Sequence, residues 1–180
     1  MRRMVFVLAL ALGGCVAPAV VPPVPPLAGA GPWAPGINAI NGAAEAFGNP
    51  ASLAGRPAEA AVAVIRLEWE TEAVMADNTF DTFSTMTGPA LLAARWQVRR
   101  ALGIEEDAPP AVVIAGMEAA ATALARGDRA AAAAALPPPV FAPGILTRLA
   151  NMPSIPQANL ATHRAQRDIE FGREEEWDVP

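Results

Sequence analysis

Between residues 57 and 171, proline falls only at the edges of apolar runs. A proline inside a helix removes a hydrogen bond and clashes with the preceding turn, so this placement marks out helices and their ends. Pro57 suits a first helical position, and the run behind it continues to about Ala76. At about 100° per residue, Val62, Ile65, Trp69, Ala73 and Ala76 share one face. Val64, Leu67 and Val74 form a further apolar side, and Glu59, Arg66 and Glu70 a narrow polar stripe. Thr87 and Pro89 open a second long helix. It has Leu91, Ala94, Val98 and Leu102 as its buried stripe, Arg95 and Arg99 along one margin, and Gly103 as a left-handed stop. Asp107, Pro109 and Pro110 start a third, running to Arg126, with Val113, Met117, Ala120 or Ala121, and Leu124 at helical spacing. After Gly127, Asp128 caps a fourth that ends at Leu136. Its alanines favour helix but give little side-chain anchorage, so it must approach a neighbour closely. A short helix at residues 38–47, a helical turn at 145–150 and a last helix at about 157–171 complete the set. In the loop after Asp77, Phe80 and Phe83 are expected to tuck beneath the chain. No stretch alternates with the period of a strand. The expected fold is all-α: a small irregular bundle of four to six helices.

The first residues follow a different logic. Arg2 and Arg3 precede the apolar run Met4 to Ala11. That is the pattern of a secretory signal, too short for the roughly 20 apolar residues of a membrane span. Leu12-Gly13-Gly14-Cys15 then resembles the lipobox of bacterial lipoproteins, a resemblance confined to the first fifteen residues. It implies cleavage between Gly14 and Cys15, a diacylglyceryl group on the Cys15 sulfur and acylation of the new amine. Val16, where an aspartate would imply retention at the inner membrane, points to the outer membrane facing the periplasm. An ordinary signal cut after Ala17 or Ala19 is the alternative. Cys15 is the only cysteine in the chain, so no intramolecular disulfide can form and packing must supply stability.

Residues 1–14 are thus expected to be signal, 15–36 a lipidated cysteine and spacer, 37–172 the helical domain and 173–180 an acidic tail. The spacer carries seven prolines among Val, Ala and Gly, with no charge. Such a tether is expected to be disordered and extended, reaching up to ~60 Å at ~3.1 Å per residue. A proline-rich docking motif is the alternative. In the tail, Glu174, Glu175 and Glu176 repel one another and favour solvation, while the large ring of Trp177 favours an interface.

Composition narrows the function classes. All thirteen basic residues are arginine, and loss of Arg2 and Arg3 takes the formal charge from -5 to -7. An acidic chain is poorly suited to nucleic acid or anionic headgroups, so membrane attachment falls to the lipid. Lysine is absent and Cys15 is committed, which removes the commonest nucleophiles after serine. His163 is the only histidine, and none of Ser52, Ser84 and Ser154 lies in a Gly-x-Ser-x-Gly elbow. One histidine is too few for the usual zinc sets or for paired Glu-x-x-His iron ligands, so no metal or other cofactor is expected. Beside Arg164 and Arg167, His163 reads as part of a solvated face. Glu105-Glu106-Asp107 and the tail lack the loop spacing of a calcium site.

Three function classes remain. The first is a structural or interaction module in the envelope, presenting the bundle or its tail to a protein partner. The second is a carrier of a small apolar ligand or lipid. The third is a cell-wall enzyme working through Glu68 or Glu72, with Glu68, Glu70 and Glu72 around Trp69 as the candidate paired carboxylates. Against the third, Glu68 and Glu72 stand one turn apart, placed to pair with Arg95 or Arg99 on the next helix. No catalytic motif supports it.

Overall fold

A computed structural model describes residues 20–76 and 83–172. Among these, seven α-helices follow one another: α1 (Pro35–Gly48), α2 (Pro57–Ala76), α3 (Thr87–Leu102), α4 (Pro110–Ala125), α5 (Arg129–Ala134), α6 (Ile145–Ala150) and α7 (Pro156–Phe171). A 3-10 turn at Pro50–Leu53 joins α1 to α2, and the only β pairing among the described residues is an isolated bridge between Ile104 and Phe141. The domain is therefore all-α, as expected, with more helices than the four to six expected because α5 and α6 are six-residue pieces. None of these helices is long and apolar enough to cross a membrane.

Local chemistry sets most helix ends. Proline opens α1, α2, α4 and α7, where its missing donor leaves nothing unpaired. Asp128 accepts from the Ala131 amide at 2.8 Å and caps α5, and Gly127, at φ 75°, makes the turn that folds α5 back on α4. Gly103 ends α3 with φ 70°. There Arg148 Nε donates to the Leu102 carbonyl at 2.6 Å, answering an orphan acceptor of the last turn. At the other end of α3, the Asp168 carboxylate from α7 accepts from the Ser84 amide at 3.1 Å and from the Thr87 hydroxyl. A negative group there also favours the helix dipole. Asp168→Ala is expected to cost about 1–2 kcal/mol, read as a shifted urea midpoint with unchanged slope.

The central element is α2. It packs against α1, α3, α4 and α6, so its two apolar sides both find partners. Ile65, Trp69 and Ala73 are buried as expected, and so are Val64 and Leu67. The polar stripe is corrected: Glu59 is exposed, but Arg66 is half-buried and Glu70 is 0% exposed. With helices on several sides, the back of α2 has no water to face. Arg99, expected on the margin of α3, is buried for the same reason. Leu91, Ala94, Val98 and Leu102 form the α3 core stripe, and Phe83 is buried beneath the loop. Phe80 lies outside the described residues.

The expected spacer differs most. Its described part, residues 20–34, lies along the bundle. Val21, Val24 and Leu27 pack against the core, and Ala28 is buried within it. Trp69 Nε1 donates to the Pro22 carbonyl at 3.0 Å and Arg66 Nε to the Ala28 carbonyl at 3.2 Å. Asn38 holds both ends of a turn: its Nδ2 donates to the carbonyls of Gly29 (3.0 Å) and Trp33 (2.7 Å), and its Oδ1 accepts from the Trp33 amide at 3.1 Å. Proline removes donors but leaves every carbonyl available. Side-chain donors of α1 and α2 take those carbonyls and hold the segment as a strap. Asn38→Ala is expected to cost about 2 kcal/mol, since three hydrogen bonds go at about 0.5–1.5 each, less what water restores. Hydrogen exchange at residues 24–34 should accelerate before the rest of the domain.

Candidate functional site

The carboxylates singled out in the sequence lie together on α2, and the structure gives each a different environment. Glu68 is clamped by Arg99 in a bidentate pair, Nε to Oε1 and Nη2 to Oε2, both 2.7 Å. Arg99 Nη1 also donates to the carbonyls of Glu106 (2.7 Å) and Ala108 (2.8 Å), so the guanidinium ties α2, α3 and the α3–α4 connection together. Burial pushes the Glu68 carboxyl up, and the hydrogen bonds and charge of Arg99 work against that. Glu72 pairs with Arg95, whose Nε lies 3.9 Å from Glu68 and has no hydrogen-bond partner. The expected pairing of Glu68 and Glu72 with Arg95 and Arg99 is therefore present. Glu68 is buried, and both its carboxylate oxygens are held by Arg99.

Glu70 has no such partner among the described residues. Both its carboxylate oxygens are buried without a hydrogen bond. Burial alone pushes its carboxyl well above the usual carboxylate range and favours the neutral acid. His163 is exposed and shares a hydrogen with Gln166 at 3.1 Å, on the solvated face expected for it. Glu105, Glu106 and Asp107 are exposed. Glu106 pairs with Arg100 at 2.9 Å, and its main-chain carbonyl is taken by Arg99. No three His, Cys, Asp or Glu side chains among the described residues group as metal ligands would. Gly14, Cys15, Glu174, Glu175, Glu176 and Trp177 lie outside the described residues.

A concave feature of the fold lies elsewhere. A cleft of about 600 Å³ opens between the strap, α1, the first half of α2 and the end of α4. Leu27, Ala46, Leu53, Val62 and Ala121 give it an apolar floor, and Glu45, Arg56, Glu59 and Arg126 stand exposed at its rim. Arg56 and Glu59 pair with each other at 3.0 Å, an exposed contact worth little. Arg66 forms one wall. Its guanidinium lies over Gly42, where an added Cβ would come within 2.2 Å of Nη1, so glycine is needed for the approach. Burial lowers the Arg66 pKa, against the raising effect of the nearby Glu45 charge. No ion pair neutralises Arg66 among the described residues, and its Nε is used by the Ala28 carbonyl. The cleft thus combines an apolar floor with a partly desolvated cation.

Sequence reasoning missed this site. Its residues come from the strap, α1, the 3-10 turn, α2 and the end of α4, and none of these segments forms a concavity by itself. Gly42, inside an apolar helix where glycine is unfavourable, was the one local signal of a close approach. Compared with known proteins, the chain matches no family model, no curated protein and no solved structure.

Proposed function

We propose that the protein is a lipid-anchored lipoprotein of the bacterial envelope, in the outer membrane and facing the periplasm. Its domain acts as a binding module through the cleft. One observation carries the binding role: an apolar concavity of about 600 Å³ with the partly buried Arg66 in its wall. Ligand pockets of about 300–1,000 Å³ with an apolar lining and a few polar groups are the usual design for small molecules. The occupant proposed is a small amphipathic molecule: an apolar body on the floor, and a carboxylate or phosphate at Arg66 and Arg126. An ionised ligand group would meet Arg66 where water screens less than at the open surface, which strengthens the attraction.

A second reading, docking of an envelope protein's peptide segment, is favoured by the exposed rim charges of both signs. The two separate by experiment. Dodecanoate and dodecanol have the same chain and differ in charge. Dodecanoate is expected to raise the thermal midpoint of the protein, as saturating ligand does, and dodecanol to raise it less. Ala125→Trp, at an exposed cleft position, should abolish both shifts, and Arg126→Ala should reduce only the dodecanoate shift. Equal shifts in wild type and Ala125→Trp would remove the cleft as the site. The anchor is tested apart from the cleft: Cys15→Ser should take up no labelled palmitate and leave the membrane fraction, whereas continued labelling would refute lipidation there.

A further inference from the structure

Six of the nine large apolar side chains exposed among the described residues are Val20, Trp33, Ile37, Met75, Met86 and Phe171. The packing gathers them at one end of the bundle. Asp168, in the last turn of α7, bonds to Ser84 and Thr87 at the start of α3, which places Phe171 near Met86. Met75 lies against the same turn, its sulfur 2.8 Å from where a Cβ on Gly88 would stand. Helix α1 runs antiparallel to α7: Asn41 meets Gln166, and Gly48 faces His163. It runs antiparallel to α2 as well, with Gly36 against Trp69 and Gly42 against Arg66. Ile37, one turn ahead of Asn41, and Trp33, whose main chain is bonded to the Asn38 side chain, therefore reach the same end. Val20 does too, because Pro22 is bonded to Trp69. Leu160 lies away from it, about two turns ahead of Asp168 on α7, and Trp96 and Val112 lie on α3 and α4.

We infer that this end rests on the lipid bilayer, with Trp33, Met86 and Phe171 in the interfacial layer. The inference depends on lipidation of Cys15 and deepens that proposal. Its support is the strap. If residues 15–36 were free, the domain could stand ~60 Å from the membrane. The strap is already bonded to the bundle at Pro22, and only five residue steps separate Val20 from Cys15. Fully extended, they reach about 17 Å. The apolar end is thus the part of the domain that the anchor brings to the bilayer. Aromatic and apolar side chains gain by leaving water at that level, and tryptophan favours the interface. A second contact, independent of the acyl anchor, also suits an acidic chain, which cannot rely on anionic headgroups. The cleft, built on Ala58, Glu59, Val62 and Arg66 of α2, lies toward the far end of that helix and remains open to the periplasm.

The test uses the full-length acylated protein in phosphatidylcholine vesicles. Because Cys15 is consumed by lipid, Met86→Cys and Leu160→Cys each introduce a single thiol for a spin label. Accessibility to a water-soluble relaxation agent should be several-fold lower at position 86 than at position 160. The difference should vanish when the same protein is held in detergent-free solution by Cys15→Ser. Protein that floats with the vesicles but shows equal accessibility at both positions overturns the inference and leaves the anchor standing. Protein that neither floats nor carries acyl label overturns both. Protection at position 86 in the soluble Cys15→Ser form, growing with protein concentration, would identify a second copy of the chain as the occupant and overturn the bilayer contact.

Discussion

Arg99→Ala will destabilise the domain by about 3–5 kcal/mol, the expected cost of removing one partner from a buried ion pair. The residue is 2% exposed, and without it Glu68 stays buried with its charge unanswered. The carbonyls of Glu106 and Ala108 lose donors at the same time. At a few degrees per kcal/mol for a domain of this size, the thermal midpoint should fall by about 10–20 °C. The double variant Arg99→Met with Glu68→Leu should recover the part of the loss due to the unanswered charge, because apolar side chains of similar size need no charge partner. It should not restore the donors lost by the Glu106 and Ala108 carbonyls. The test is equilibrium urea unfolding of both. A cost below about 1 kcal/mol for Arg99→Ala would show that water already reaches Glu68.

Glu70→Leu should act in the opposite direction and make the domain more stable. Two buried oxygens without partners cost about 1–3 kcal/mol, and leucine removes them while keeping apolar contact. The gain should grow with pH. Burial raises the folded-state pKa of Glu70 above that of the unfolded chain. As pH climbs through the ordinary carboxylate range, the unfolded chain releases this proton and the folded chain keeps it. The folded state then holds more protons, so wild-type stability falls as pH rises, by at most about 1.4 kcal/mol per pH unit for one group. The fall stops above the raised folded-state pKa. Glu68, also raised, contributes with the same sign, so the difference between wild type and Glu70→Leu isolates Glu70. Urea midpoints across the range above about pH 4.5 measure it. A constant difference across that range would mean that Glu70 ionises with an ordinary pKa and has found water or a partner.

The pair of predictions shows how far the sequence went. That Glu68 and Glu72 would meet Arg95 and Arg99 followed from one-turn spacing on two consecutive helices. Their burial did not follow, because helical spacing tells which residues share a face and not what lies across from it. Glu70 was placed with Glu59 and Arg66 on a polar stripe, and periodicity alone supports that choice. Its burial came from α2 having helices on several sides. The strap follows a related rule. Proline's missing donors exclude helix and sheet for residues 20–34. Its free carbonyls found partners in Trp69, Arg66 and Asn38, which lie up to 47 residues away.

What the amino-acid sequence determined by itself was the class of the fold and nearly every helix end. Proline at a first turn, glycine at a left-handed stop and aspartate at a cap act through bonds and clashes within a few residues, so their meaning is local. The resemblance to an export and lipidation signal at Leu12-Gly13-Gly14-Cys15 is equally local, and it lies outside the described residues. Only the tertiary structure decided which charges lost their water, where the cleft opened and that most of the exposed apolar residues share one end. Each depends on surfaces contributed by segments far apart in the chain. Burial is a property of that assembly, and no window of sequence contains it.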